Sequence, residues 1–190
     1  MPPEPFRRRG FLSMVRSDEN GLITRRHDAD GTQSEAVYSD CMQYRYLLTR
    51  IWDVSAKRAL FVMLNPSTAD EMRNDPTIER CERRSRALGF GAMRIANLFA
   101  FRATRPDDLR QAAAPVGPSN DALLAEACTW ADTVICAWGV HGDHLQRDRQ
   151  VADLIARSGT PMVHLGLTKH GLPRHPLYVA YAKQLENWSS

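Results

Sequence analysis

Apolar positions along the chain gather into short unbroken runs separated by stretches with helical periodicity. The run Ala59-Leu60-Phe61-Val62-Met63-Leu64 stops at Asn65-Pro66 and turns polar through Ser67-Thr68-Ala69-Asp70. Continuous apolar runs of this length read as strands buried on both faces. Three more follow, at 93–98, 132–138 and 161–165. After the first run, Asp75-Pro76 reads as an N-cap followed by proline at the first helical position. Ile78, Cys81, Ser85 and Leu88 then recur at helical spacing, with the arginines at 80, 83, 84 and 86 largely off that face. Gly89 ends this helix. Further helices are predicted from Ser119 to about residue 130, over 145–157, and from Pro176 to about Trp188. The last would place Tyr178, Tyr181, Leu185 and Trp188 on one face. The segment 99–118 reads as a long loop.

Upstream the pattern is different. Residues 44–52 are rich in aromatic and β-branched types and read as an antiparallel strand at a sheet edge. Residues 1–35 are polar, with turn signals at Glu19-Asn20-Gly21 and Asp28-Ala29-Asp30-Gly31. They read either as short hairpin strands or as a partly mobile segment. Strand–helix alternation from residue 59 onward predicts an α/β fold of three α/β/α layers. Its central sheet would hold four parallel strands, with an N-terminal antiparallel β extension. The division expected is an extension over 1–58 and an α/β domain over 59–190, packed as one compact unit.

Composition narrows the classes. A chain of 190 residues with 43% hydrophobic content can bury a core without disulfides or metals. No apolar run approaches the roughly 20 residues that span a bilayer. Met1-Pro2-Pro3-Glu4-Pro5-Phe6-Arg7-Arg8-Arg9 has no apolar core behind its arginines, so it does not read as a secretory signal, and a cytoplasmic location is expected. Cys41, Cys81, Cys128 and Cys136 form no Cys-x-x-Cys pair, which argues against structural zinc. Cys128 and Cys136 read as small buried hydrophobes. Neither a Gly-x-Gly-x-x-Gly after a strand nor a phosphate loop occurs, so dinucleotide oxidoreductases and P-loop nucleotidases are disfavoured. Between Arg73 and Arg110 nine arginines stand against five acidic residues, a local surplus larger than the net +3 of the whole chain. Such a belt suits a polyanion, or equally a solvated helix face.

Open α/β sheets bind ligands beyond the carboxyl ends of their strands. Asn65, Asn97, Trp138-Gly139 and His175 stand at or just past four such ends, with His141 and His144 close behind the third. Each has a structural alternative. Asn65 before proline can start a turn, Asn97 can satisfy buried backbone, and Trp138 and Tyr178 can be packing. Asp75 already has a role as a cap. The two histidines lack a clear third metal ligand.

Leu64-Asn65-Pro66 after an apolar strand resembles the Gly-x-Asn-Pro-Gly motif of the mismatch-specific thymine/uracil glycosylases. Asn97-Leu98-Phe99-Ala100-Phe101-Arg102-Ala103-Thr104 resembles their Asn-Leu-x-x-Arg-x-Thr segment, and His175-Pro176 the C-terminal His-Pro motif of the uracil-DNA glycosylase superfamily. The likeness covers about 59–180 in consistent order. The whole chain also resembles a bacterial and phage family marked by Met-Leu-Asn-Pro-Ser-Thr-Ala-Asp and Pro-Arg-His-Pro-Leu-Tyr. Departures occur at Met63, at Ser67, and in Leu177-Tyr178 after the His-Pro pair.

The resemblance implies a DNA glycosylase that breaks the N-glycosidic bond of a damaged, mismatched or hypermodified pyrimidine flipped out of DNA. Modified phage DNA is one substrate the relatives suggest. By the same likeness Asn65 holds the attacking water, His175 hydrogen-bonds the departing base and Asn97 reads its edge. Pro66, Ser67, Asp75, Trp138, Arg174 and Tyr178 would also bind the substrate. Arg102 and Arg105 would hold DNA phosphates. No metal, organic cofactor, membrane or obligate protein partner is implied. The alternatives are a hydrolase of free modified nucleosides or nucleotides, and a non-catalytic nucleic-acid-binding module.

Overall fold

A computed structural model describes residues 13–188. The Met1–Arg9 segment lies outside the described residues. Among the described residues nine strands join one mixed sheet in the order β1-β2-β3-β4-β6-β5-β7-β8-β9. The strands are β1 (Ser13–Ser17), β2 (Leu22–Ala29), β3 (Thr32–Ser39), β4 (Arg45–Ile51), β5 (Arg58–Met63), β6 (Ala92–Asn97), β7 (Thr133–Cys136), β8 (Met162–His164) and β9 (Glu186–Asn187). Four helices accompany them: α1 (Pro76–Ala87), α2 (Pro106–Gln111), α3 (Asn120–Trp130) and α4 (Arg147–Ser158).

This corrects the expected architecture. In place of a central four-stranded parallel sheet with an appended extension there is a single nine-stranded mixed sheet. Parallel pairing is confined to β5 with β6 and β7, and to β7 with β8; every other neighbouring pair is antiparallel. Strand β4 is interior, between β3 and β6, rather than an edge. Its Leu47 and Leu48 are both buried, facing the two separate core clusters. The polar look of residues 22–39 arises because β2 is exposed or half-buried at all but His27, and β3 keeps Thr32, Gln33 and Glu35 out of the core. Asp30 and Gly31, both at positive φ, make the two-residue turn between them, the geometry of a tight hairpin.

One core cluster lies under α3 and α4, with Leu124, Ala127, Val151 and Ile155 against Leu60, Val62 and Val134. The other lies under α1, with Ile78 and Cys81 against Phe61, Met63 and Ile135. Asp75 caps α1 by accepting the Ile78 N–H at 2.9 Å. Ser119 makes no side-chain cap bond, and the adjacent Asn120 instead donates to the carbonyls of Asn97 and Leu98, both at 3.1 Å. The 99–118 segment carries α2. Cys81, Cys128 and Cys136 are buried and Cys41 exposed, all as free thiols.

The helix expected to reach Trp188 does not form. A 3-10 turn at Pro176–Tyr178 leads into irregular chain and then β9. The cause is competition for carbonyls. Arg80 and Arg84 on α1 take those of Pro176, Val179, Ala180, Tyr181 and Lys183, which a helix would have satisfied itself. Arg84 is accordingly buried, not off the apolar face of α1. Tyr178 and Tyr181 are exposed, so their spacing does not mark a core face. No helix of the described residues is long and apolar enough to cross a membrane.

Candidate functional site

Beyond the carboxyl ends of β5 and β7 the chain encloses a cavity of about 560 Å³. That volume lies in the range of small-molecule and nucleotide sites. Asn65, Ser67 and Asp75 line it from the β5–α1 loop, Trp138 from the end of β7, and Arg174, His175 and Tyr178 from the C-terminal loop. Arg105 joins them from the segment after β6.

Asn65 is fixed by its own amide. Nδ2 donates to the Pro66 carbonyl at 2.9 Å and the Ala103 carbonyl at 2.8 Å. Both amide hydrogens are thereby used, and Oδ1 is what Asn65 can offer a ligand: an acceptor, not a donor. Pro66 itself is buried; its carbonyl also accepts the Ala103 N–H at 3.0 Å, so it positions Asn65 rather than lining the cavity.

His175 offers the opposite polarity. Its Nδ1 accepts the Leu177 N–H at 3.4 Å, which leaves the proton of the neutral ring on Nε2. Burial pushes its pKa below the usual histidine range, opposed by the charge of Asp75. At neutral pH it is therefore an uncharged donor. Gly139 packs against it: a Cβ there would stand 3.4 Å from the His175 Cβ, and its φ of +74° favours glycine.

The loop from Asn65 to Asp75 is held from the N-terminal strands. Arg45 Nη1 donates to the Ala69 carbonyl. Arg50 Nη2 donates to the Asp70 carbonyl at 2.5 Å and to Asn74 Oδ1 at 3.1 Å. Tyr38 donates to Glu71 at 3.1 Å, and Asp75 Oδ2 accepts the Ala69 N–H at 3.3 Å. Burial, reinforced by the Glu71 charge, pushes the Tyr38 phenol up to about 12. The N-terminal strands thus shape one wall of the site.

Besides Pro66, two more expected site residues stand elsewhere. Asn97 is buried, pairs in register with Met63, and has no partner for either amide atom; it lies beside the cavity floor without lining it. Arg102 turns inward, donating to the Met42 carbonyl at 3.3 Å over the Tyr38 ring. Arg105 is exposed at the mouth. His144 packs on the Phe99 ring, while His141 lines the cavity and meets Arg110 at 3.2 Å. Sequence reasoning missed Arg45, a buried cation on the cavity wall. The signal was there in Tyr44-Arg45-Tyr46, a charge inside an aromatic strand.

Residues 45–177 match the family described as "Protein of unknown function (DUF1643)", and the chain belongs to that family. No curated protein and no solved structure matches it. The matched stretch opens at Arg45 and closes just after His175-Pro176, so it contains nearly the whole cavity wall.

Proposed function

We propose that this cavity hydrolyses the N-glycosidic bond of a pyrimidine nucleotide presented by DNA, leaving an abasic site. The observation that carries this reading is the opposed polarity of Asn65 and His175, which line the same cavity. In such a reaction the C–N bond breaks with its electron pair going to the base. The sugar carbon gains cationic character and water adds to it. One water proton is passed on to the base; the other remains on the new sugar hydroxyl. Asn65 Oδ1 accepts from that water and aims its lone pair. It need not be a strong base, because a developed oxocarbenium ion captures water before much deprotonation. His175 Nε2–H donates to the departing base, where negative charge builds. No lysine of the described residues lines the cavity, so the reading is of a hydrolase without a Schiff-base step.

Support for a polymeric substrate comes from the rim. Tyr178 is 82% exposed beside His175, and Val140, which also lines the cavity, is exposed as well. An exposed aromatic at a cavity mouth suits stacking on a neighbouring base.

A free nucleotide is the second reading, favoured by where the arginine belt goes. Arg80 and Arg84 grip the C-terminal segment, Arg83 and Arg86 pair with Glu79 and Glu82, and Arg94 stacks on Trp130. Few cations of the belt remain free for a phosphate backbone. The test is incubation with DNAs carrying uracil, thymine mismatches or modified cytosines, and with the corresponding free nucleotides. Released base and abasic sites are measured. Asn65→Ala and His175→Ala should each slow release on the order of 10²-fold, as for loss of a transition-state hydrogen-bond partner. Full activity in both variants would overturn the assignment.

A further inference from the structure

The cavity wall holds a cation for which the glycosidic reading has no use. Arg45 is 2% exposed, yet it faces the cavity. Of its side-chain nitrogens only Nη1 has a protein acceptor, the Ala69 carbonyl. No carboxylate of the described residues lies within ion-pair distance of it; the ion pairs of this region go to other arginines. Asp75, the carboxylate whose charge acts on it, spends its two oxygens on the N–H groups of Ile78 and Ala69. A buried guanidinium without an anion is costly, and proteins seldom retain one when a neutral donor would hold the same carbonyl.

We propose that Arg45 is the floor of an anion subsite, and that the ligand carries an anionic oxygen group, a carboxylate or a phosphate, which enters the cavity first and pairs with it. This rests on the nucleotide reading of the cavity but names a further property of the substrate. The neighbours fit. Met63 and Ile78 add apolar surface to the cavity lining beside Arg45, which suits the ring of such a ligand. The exposed Arg105 and Arg174 sit at the mouth, and Arg174 uses only Nε on the protein, donating to Leu167 at 3.0 Å. Burial pulls the Arg45 guanidinium down to about 10, which leaves it charged at neutral pH. The planar guanidinium has donors to spare for a two-oxygen group.

The test is binding, read separately from turnover. Titration calorimetry on the full chain would compare uracil with 5-carboxyuracil, and deoxyuridine with its 5′-monophosphate, at low and high salt. At least one charged probe should bind on the order of 10-fold tighter than its neutral counterpart at low salt, the scale of one charge-assisted contact. The pair that shows the preference tells whether the anion is borne by the base or is the phosphate. In Arg45→Met the ratio should collapse toward one, and in Arg45→Lys it should be partly kept. Near-uniform binding of charged and neutral probes by the wild-type protein overturns the proposal whether or not the Met variant folds. So does a ratio that survives Arg45→Met and disappears in an Arg105→Ala/Arg174→Ala double variant. An anion preference that depends on Arg45, without base release from any nucleotide, would instead overturn the glycosidic reading and leave the anion subsite standing.

Discussion

Asn65 Nδ2 lies 2.8 Å from the Ala103 carbonyl, tying the loop after β5 to the segment after β6. The same nitrogen holds the Pro66 carbonyl, so the amide cannot rotate without losing both bonds. Asn65→Asp is the sharpest probe of this arrangement. A carboxylate would turn an oxygen toward two carbonyls and have no hydrogen to give either. The variant should lose about 1–3 kcal/mol of stability, the cost of leaving partly buried acceptors unpaired, and with it the aim of the remaining oxygen. Urea denaturation reads the first effect and base release the second. An Asp variant as stable as wild type would show that these two bonds do not fix the side chain.

The C-terminal segment that carries His175 and Tyr178 has little regular structure of its own. Arg84 holds it, donating to the carbonyls of Ala180 and Lys183 at 2.9 Å, of Tyr181 at 3.2 Å and of Val179 at 3.3 Å. Arg84→Met keeps much of the side-chain volume and removes every one of these donors. We expect a loss of about 2–3 kcal/mol, near the worth of one strong charge-assisted bond after the chain relaxes toward water. Amide exchange should quicken over residues 176–187 well before the sheet opens. Unchanged exchange in that segment would mean that the packing of Val179 and Trp188 holds it unaided.

What was legible in the sequence was whatever local chemistry decides. The apolar run at β5, the Asp75-Pro76 start of α1 and the Asp30-Gly31 turn each carry their cause within a few residues. Asn65, Trp138 and His175 meet in one cavity because they follow successive strand ends, and strand ends can be read. The parts that could not be read depend on distant partners. Tyr178, Tyr181, Leu185 and Trp188 have helical spacing, but arginines about 95 residues earlier in the chain claim the carbonyls that a helix needs. Strand β4 looked like an edge because nothing in residues 44–52 shows β3 arriving on one side and β6 on the other. The charge in Tyr44-Arg45-Tyr46 is visible in the sequence, but its role comes from the cavity it faces, which five separate segments build.

Gly142 marks a close approach to Trp138, a residue that lines the cavity. Its φ is ordinary, but a Cβ there would stand 2.1 Å from Trp138 Cδ1 and 2.8 Å from Nε1. Trp138 is buried, packs edge-on against Trp188 at 5.3 Å and has no partner for its indole nitrogen, so it is held by shape alone. Gly142→Ala should push the ring off this position and cost about 1–3 kcal/mol, as overpacking does in tight cores. Thermal unfolding measures the loss, and near-ultraviolet circular dichroism follows the two tryptophans. Since the ring lines the cavity, ligand affinity should fall in the same variant. A Gly142→Ala protein with wild-type melting and dichroism would show that the 139–142 turn yields freely.

Acid should loosen the C-terminal side of the site first. His164 and His175 both have pKa values lowered by burial, with Glu186 opposing the shift at the first and Asp75 at the second. Each uses Nδ1 as an acceptor, His164 from the Gly166 N–H at 2.9 Å and His175 from the Leu177 N–H at 3.4 Å. Protonation there sets one donor against another. The unfolded chain takes up these protons near pH 6.5 and the folded chain only at lower pH. Between those points the unfolded state holds more protons, so stability rises with pH. The contribution is complete above about pH 6.5 and is lost as the pH falls through the lowered folded values. Urea midpoints should therefore be flat from pH 8 to about 7 and decline from about 6.5 to 5, before the carboxylates titrate. His164→Gln, whose amide oxygen can accept the Gly166 N–H without titrating, should flatten part of that decline. A wild-type midpoint that does not move across this window would show that neither imidazole differs in proton affinity between the folded and unfolded chain.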